Sequence, residues 1–166
     1  FFFFLALPMP VIAAIDGYAL GGGAAIAYAC DFRIATTRMK LGNPETGLGI
    51  IAGAGATWRL LELVGEPVAE EILLAGRVLT APEALELRLV SEVVEPESLL
   101  DAADALADRI LMNDPAALMA TKRLLALPRA AHPQADLDEQ AVLFESDTKR
   151  ARMTAFLNRR ATGGTK

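Results

Sequence analysis

Apolar positions along the chain change period near the middle. From Pro10 to Ile15 they run without a polar break, the pattern of a strand buried on both faces. Val11–Asp16, Phe32–Ala35 and Met39–Leu41 are three short apolar pieces separated by glycine or charged residues, and each is expected as a strand. After Gly53 the spacing lengthens to that of helices. Thr57–Val64 ends at Gly65, a C-cap glycine, and Val68–Ala75 ends at Gly76. Thr80-Ala81-Pro82-Glu83 has the form of a capping box and opens a short helix to Leu87. Leu89–Val94 is expected as a strand. Ser98 caps a long helix to Leu111 with Leu99, Leu100, Ala103, Leu106, Ala107 and Ile110 on one face. Asp114-Pro115 starts another helix to Leu127, with Pro128 just past its end. From Ala135 the chain is expected to be helical with a break around Ser146-Asp147. This order predicts an α/β chain, rich in strands over 1–96 and helical over 97–166.

The junction at the end of the first strand carries the chemistry. Gly17, Gly21, Gly22 and Gly23 lie between the apolar run and Ala24-Ala25-Ile26-Ala27. Glycine lets the backbone turn tightly and approach a ligand with no Cβ in the way. The helix that begins there presents unpaired N–H groups and the positive end of its dipole. Such a site holds negative charge on an oxygen. A phosphate loop would need Gly-x-Gly-x-x-Gly or a closing Gly-Lys-Ser/Thr, and these glycines have neither spacing.

Asp16-Gly17-Tyr18-Ala19-Leu20-Gly21-Gly22-Gly23 instead resembles the signature of the enoyl-CoA hydratase/isomerase (crotonase) superfamily. The likeness continues through Cys30-Asp31-Phe32-Arg33-Ile34-Ala35, Gly42-Asn43-Pro44-Glu45, Gly47-Leu48-Gly49 and Gly53-Ala54-Gly55-Ala56-Thr57-Trp58-Arg59-Leu60. It extends to Gly76-Arg77 and Leu89-Val90-Ser91, so that Pro8 to about Arg160 is covered. The resemblance implies a crotonase-like fold, the ClpP/crotonase spiral of β-β-α units, with a helical C-terminal part. Residues 1–96 would be the C-terminal part of the crotonase core, and 97–166 a helical region for oligomerisation and the CoA pocket. Phe1-Phe2-Phe3-Phe4 then reads as the aromatic end of a core helix. A preceding portion is expected to supply the second of two oxyanion-holding N–H groups.

The resemblance also implies roles for individual residues. The thioester oxygen becomes an enolate, and Gly22 supplies one of the backbone N–H groups that hold it, with Gly21 and Gly23 beside it in the substrate site. Glu45 stands where the family has an acid/base glutamate, with Pro44 fixing the backbone ahead of it and Thr46-Gly47 following in a loop. Hydratases of the family carry a second glutamate two residues after the third glycine; here that residue is Ala25. Two glutamates hold and activate a water, whereas one carboxylate is enough to move a proton between C4 and C2 of an enoyl thioester. Isomerisation is therefore favoured slightly over hydration. The alternative is a paralogue that binds acyl-CoA or assembles with an active partner without turnover. Arg159 matches the basic residue that lies near the CoA phosphates. The resemblance further implies an acyl-CoA thioester partner, no metal, no cofactor beyond the coenzyme A of the substrate, and a homotrimer or dimer of trimers. The apolar Leu143, Phe144, Met153, Phe156 and Leu157 suit such an assembly.

Composition narrows the field further. The 166 residues are 53% hydrophobic and 22% charged, enough for one core. A net charge of −5 argues against nucleic acid as a partner, and the apolar runs are too short for membrane insertion. The single cysteine, Cys30, excludes an internal disulfide and fits a reducing compartment, the cytoplasm. Its apolar flanks make it a small buried residue rather than a nucleophile. His132 is expected in a surface loop. Asp16, Asp31 and Arg59 are expected to have structural partners.

Overall fold

The computed structural model describes residues 2–161, apart from the side chains of Phe2, Arg129, His132, Pro133, Arg159, Arg160 and Ala161. The described chain forms two compact units, one ending at Ile110 and the other starting at Leu111.

In the first unit, the first four strands go alternately to two three-stranded sheets, β5 joins β4, and β6 returns to the first sheet. β1 (Ile12–Ile15), β3 (Phe32–Thr36) and β6 (Glu92–Val94) form one sheet in the order β1-β3-β6. All its pairs are parallel, with Ile12 opposite Phe32 and Thr36 opposite Val94. β2 (Tyr18–Leu20), β4 (Lys40–Gly42) and β5 (Val78–Thr80) form the other, with β2 parallel to β4 and β4 antiparallel to β5. The strand pair β1-β2 is followed by α2 (Gly22–Ala29), and β3-β4 by α3 (Ala56–Val64) and α4 (Glu66–Leu73). This is a turning succession of β-β-α units.

Alternate residues of the first sheet bury two faces, as a parallel sheet requires. Ile15 and Ala35 join the main core, which includes Tyr28, Leu41, Leu60, Ile72 and Leu79. Ile34, with Ile12 and Phe32, packs against Leu99, Leu106 and Ile110 of α6 (Leu99–Leu111). Leu100 was expected on that face but is exposed. The buried face is formed by Leu99, Ala102, Ala103, Leu106 and Ile110, spaced three and four apart, and Leu100 lies beside that stripe rather than on it.

Arg33 is buried and replaces missing backbone bonds. Its Nε donates to the Leu89 carbonyl at 2.6 Å, and one terminal nitrogen donates to the Ala27 and Cys30 carbonyls. Burial lowers its pKa from the usual guanidinium value. Leu89 and Val90, expected as the start of a strand, are buried without pairing. Arg88 takes a left-handed φ of 56°, which turns the chain after α5 (Ala81–Glu86) and delays the strand until Glu92. Strands β2 and β5, of three residues each, were not expected from the sequence.

Local signals were otherwise followed closely. The Thr80–Glu83 capping box is present, with the Thr80 N–H donating to Glu83 at 2.7 Å. Asp31 accepts the Val11 N–H at 2.7 Å, and Arg59 pairs with Glu62 at 3.0 Å. Cys30 is buried, its Sγ against the Ile26 carbonyl. The Phe-rich segment forms α1 (Phe2–Ala6).

Two carboxylates make this unit sensitive to acid. Hydrogen bonds from Thr80, then Arg77, hold Glu83 at about 2, below its ordinary 4.5. Bonds from Arg38, then Thr36, hold Asp16 at about 2, below 3.8. A carboxylate whose pKa is lower in the folded state stabilises fully above its unfolded pKa and loses that contribution as pH falls through the folded value. The urea midpoint is therefore expected to be flat above about pH 5 and to fall between about pH 4.5 and 2. Glu83→Gln should flatten part of that decline. An identical slope in the variant removes Glu83 as a cause.

The second unit is helical: α7 (Pro115–Leu125), α8 (His132–Phe144) and α9 (Asp147–Ala161). Asp114 caps α7 by accepting the Ala117 N–H at 2.9 Å, and Pro115 occupies its first turn. Arg123 of α7 makes a two-pronged ion pair with Glu139 of α8, with both contacts at 2.9 Å. The expected break occurs at Glu145–Ser146, where the Ser146 hydroxyl accepts the Lys149 N–H and starts α9. His132 was expected in a loop but is the first residue of α8, which begins three residues before Ala135. Among the described residues no helix is long and apolar enough to cross a membrane.

Candidate functional site

The glycine junction folds as a strand, one glycine with positive φ and a helix. β2 ends at Leu20, and the Gly21 N–H continues its pairing by donating to the Gly42 carbonyl at 2.9 Å. Gly21 then takes φ 55° and ψ −116°, outside the usual range of residues with a Cβ, and becomes the N-cap of α2. The first backbone bond within the helix runs from the Ala25 N–H to the Gly21 carbonyl. The N–H groups of Gly22, Gly23 and Ala24 precede it, so the positive end of the helix is uncovered there. Gly22 and Gly23 are exposed, and a Cβ on either would meet nothing within 4 Å.

Glu45 reaches this junction from the other side. Leu41 and Gly42 close β4, Asn43 is buried, and Pro44–Leu48 forms a 3-10 turn. The expected loop is thus an ordered turn: Pro44 sets its start, and Gly49 stops it in the left-handed region. A Cβ added to Gly21 would lie 3.3 Å from the Glu45 Oε1, so the carboxylate occupies the space beside the helix start that a side chain there would need. The Asn43 amide lies between them, its Nδ2 donating to Glu45 Oε1 at 3.3 Å and to the Gly21 carbonyl at 3.5 Å. Gly42 is tighter still, since a Cβ there would lie 2.7 Å from the Arg77 carbonyl. Residues far apart in sequence are brought together because β2 and β4 are neighbours in register, with Leu20 opposite Gly42.

Ala25 lies one turn into α2 at 1% exposure, within the main core. It follows Gly21 by four residues and shares its helix face. Tyr28, three residues further on, continues that face and is fully buried. No motif had singled it out, although its spacing from Gly21 and Ala25 was readable. Burial, reinforced by the Glu45 charge and opposed by Arg33, pushes its phenol well above the ordinary tyrosine range. Arg159 falls in α9, and its side chain lies outside the described residues. A separate cavity of about 510 Å³ lies wholly within the second unit, lined by residues that include Leu143, Phe144, Met153 and Phe156.

The profile of the enoyl-CoA hydratase/isomerase family matches residues 4–163. The chain is 41% identical over 169 residues to the short-chain-enoyl-CoA hydratase of Clostridium acetobutylicum, covering 96% of this chain and 63% of that one. It is 41% identical over 161 residues to the crotonyl-CoA hydratase of Syntrophomonas wolfei, covering 93% and 61%. A crystal structure of enoyl-CoA hydratase from Bacillus anthracis superposes with a TM-score of 0.89 at 37% identity, covering 93% of this chain and 62% of that one. The turning β-β-α units are thus those of the crotonase fold. The chain spans less than two thirds of the length of each of these relatives.

Proposed function

The chain belongs to the enoyl-CoA hydratase/isomerase family, and from that premise we propose that it works on acyl-CoA thioesters, holding an enolate and moving a proton with Glu45. The observation that carries this is the closeness of the Glu45 carboxylate to the start of α2, where the first N–H groups have no partner within the helix. Gly22 gives one N–H to the thioester oxygen as negative charge develops there. Such a donor acts in the transition state more than in the ground state, because the oxygen carries most charge there. Glu45, adjacent to that donor, takes the proton from the carbon next to the thioester or from C4. It returns the proton at the other position, which shifts the double bond.

Isomerisation is favoured slightly over hydration. Ala25 offers no carboxylate, so an attacking water would lack the second carboxylate that activates it. The substrate is part coenzyme A, and the reaction as written needs no further cofactor. Assembly as a trimer or a dimer of trimers is supported by the half-exposed Phe144, Met153, Phe156 and Leu157, an apolar surface for a neighbouring subunit.

The deciding experiment gives the full-length protein 2-enoyl-CoA and 3-enoyl-CoA and scores hydration and double-bond migration separately. Migration faster than hydration is the expected result. Faster hydration overturns the isomerase preference. Tight acyl-CoA binding with neither reaction favours the non-catalytic paralogue.

A further inference from the structure

Three polar side-chain atoms are buried and make no hydrogen bond with other described protein atoms: Tyr28 Oη, Asn43 Oδ1 and Glu45 Oε2. Buried groups of this kind are ordinarily paired, because leaving one unpaired forfeits its hydration without return. Asn43 and Glu45 are already side by side through the bond between Asn43 Nδ2 and Glu45 Oε1. Tyr28 lies two turns along the helix face that begins at Gly21, beside which the Glu45 carboxylate sits, and the Glu45 charge acts on its phenol. The set contains one donor, the phenol, and two acceptors. A water molecule accepts one hydrogen and donates two, which completes it.

We propose that Tyr28 is a positioning residue for Glu45: its phenol and the Asn43 side-chain oxygen hold one buried water against Glu45 Oε2. The inward carboxylate oxygen is then fixed, and Oε1 is left to exchange the substrate proton. Burial and the Glu45 charge keep the phenol protonated, and so a donor, throughout the working pH range. On the face where Ala25 offers no carboxylate, Tyr28 is the residue that brings a polar atom to Glu45 from α2. This inference rests on Glu45 being the proton carrier, and it adds how that carboxylate is held.

Tyr28→Phe removes the hydroxyl and keeps the ring in the core, and it is compared in the full-length protein with the parent and with Glu45→Gln. With 3-enoyl-CoA as substrate, Tyr28→Phe is expected to lower kcat roughly tenfold, as loss of a hydrogen bond serving a charged group does, with little change in KM. The acid limb of its rate profile should move up by about one pH unit, because the charged carboxylate has lost support. Its Tm should fall by about 2–4 °C. An unshifted acid limb with parent-like kcat overturns the proposal, whatever the Tm does. If Glu45→Gln abolishes turnover while Tyr28→Phe matches the parent, only the role of Tyr28 fails. If Glu45→Gln turns over like the parent, the Glu45 reading fails and Tyr28 falls with it. A crystal structure of the parent gives a check that needs no variant: an ordered water bonded to all three atoms supports the proposal, and its absence overturns it.

Discussion

Glu45→Gln is expected to lower turnover of an enoyl-CoA substrate by about 100- to 10,000-fold, the contribution of a positioned acid–base group. The substitution keeps shape and volume. A glutamine side chain would still offer its oxygen to Asn43 Nδ2, and the 3-10 turn depends on Pro44 and Gly49 rather than on the carboxylate. Fold and CoA binding should therefore survive, with KM within a few-fold, because the lost interaction acts while the proton is in flight. Single-turnover rates and thermal unfolding, measured side by side, check this. A variant within a few-fold of the parent rate removes Glu45 from the mechanism.

The second large effect concerns a backbone group and calls for an unusual substitution. Gly22→Pro deletes the N–H and little else. Position 22 is the first residue of α2, where proline is accommodated and the N–H has no partner within the helix. The space around a Cβ there is open, and Gly22 is not among the glycines with positive φ. Losing one oxyanion donor costs about 3–4 kcal/mol, or roughly 100- to 1,000-fold in kcat. Gly22→Ala is the control, since it adds a Cβ into empty space and keeps the N–H. The expected outcome is a near-parent alanine variant and a crippled proline variant of similar stability. Equal rates in the two would show that the Gly22 N–H holds no developing charge.

The reasons some of this was legible in the sequence are local. A glycine block ahead of an alanine-rich run, and a proline ahead of Glu45, act over a few residues, and the contact between them comes from the register of β2 and β4. The capping box at Thr80–Glu83 and the break at Ser146 were visible for the same reason. What escaped depended on tertiary pairing. β2 and β5 are strands because β4 lies between them, not because three residues favour that state. Leu89 and Val90 are apolar enough for a strand, yet Arg33 takes the Leu89 carbonyl and leaves them packed instead. Tyr28 read as one more apolar residue of a helix, and only its buried, unpaired oxygen distinguishes it.

The alternation of strands between two sheets also has a kinetic consequence. No two consecutive strands pair with each other, apart from the antiparallel β4 and β5, and two helices separate those. Ile12 waits for Phe32, Tyr18 for Lys40, and Thr36 for Val94. The chain therefore closes long loops before it gains any ladder bond, which places it among slow-folding topologies. Within these residues, β1 finds its partner only once β3 has formed, twenty residues further on.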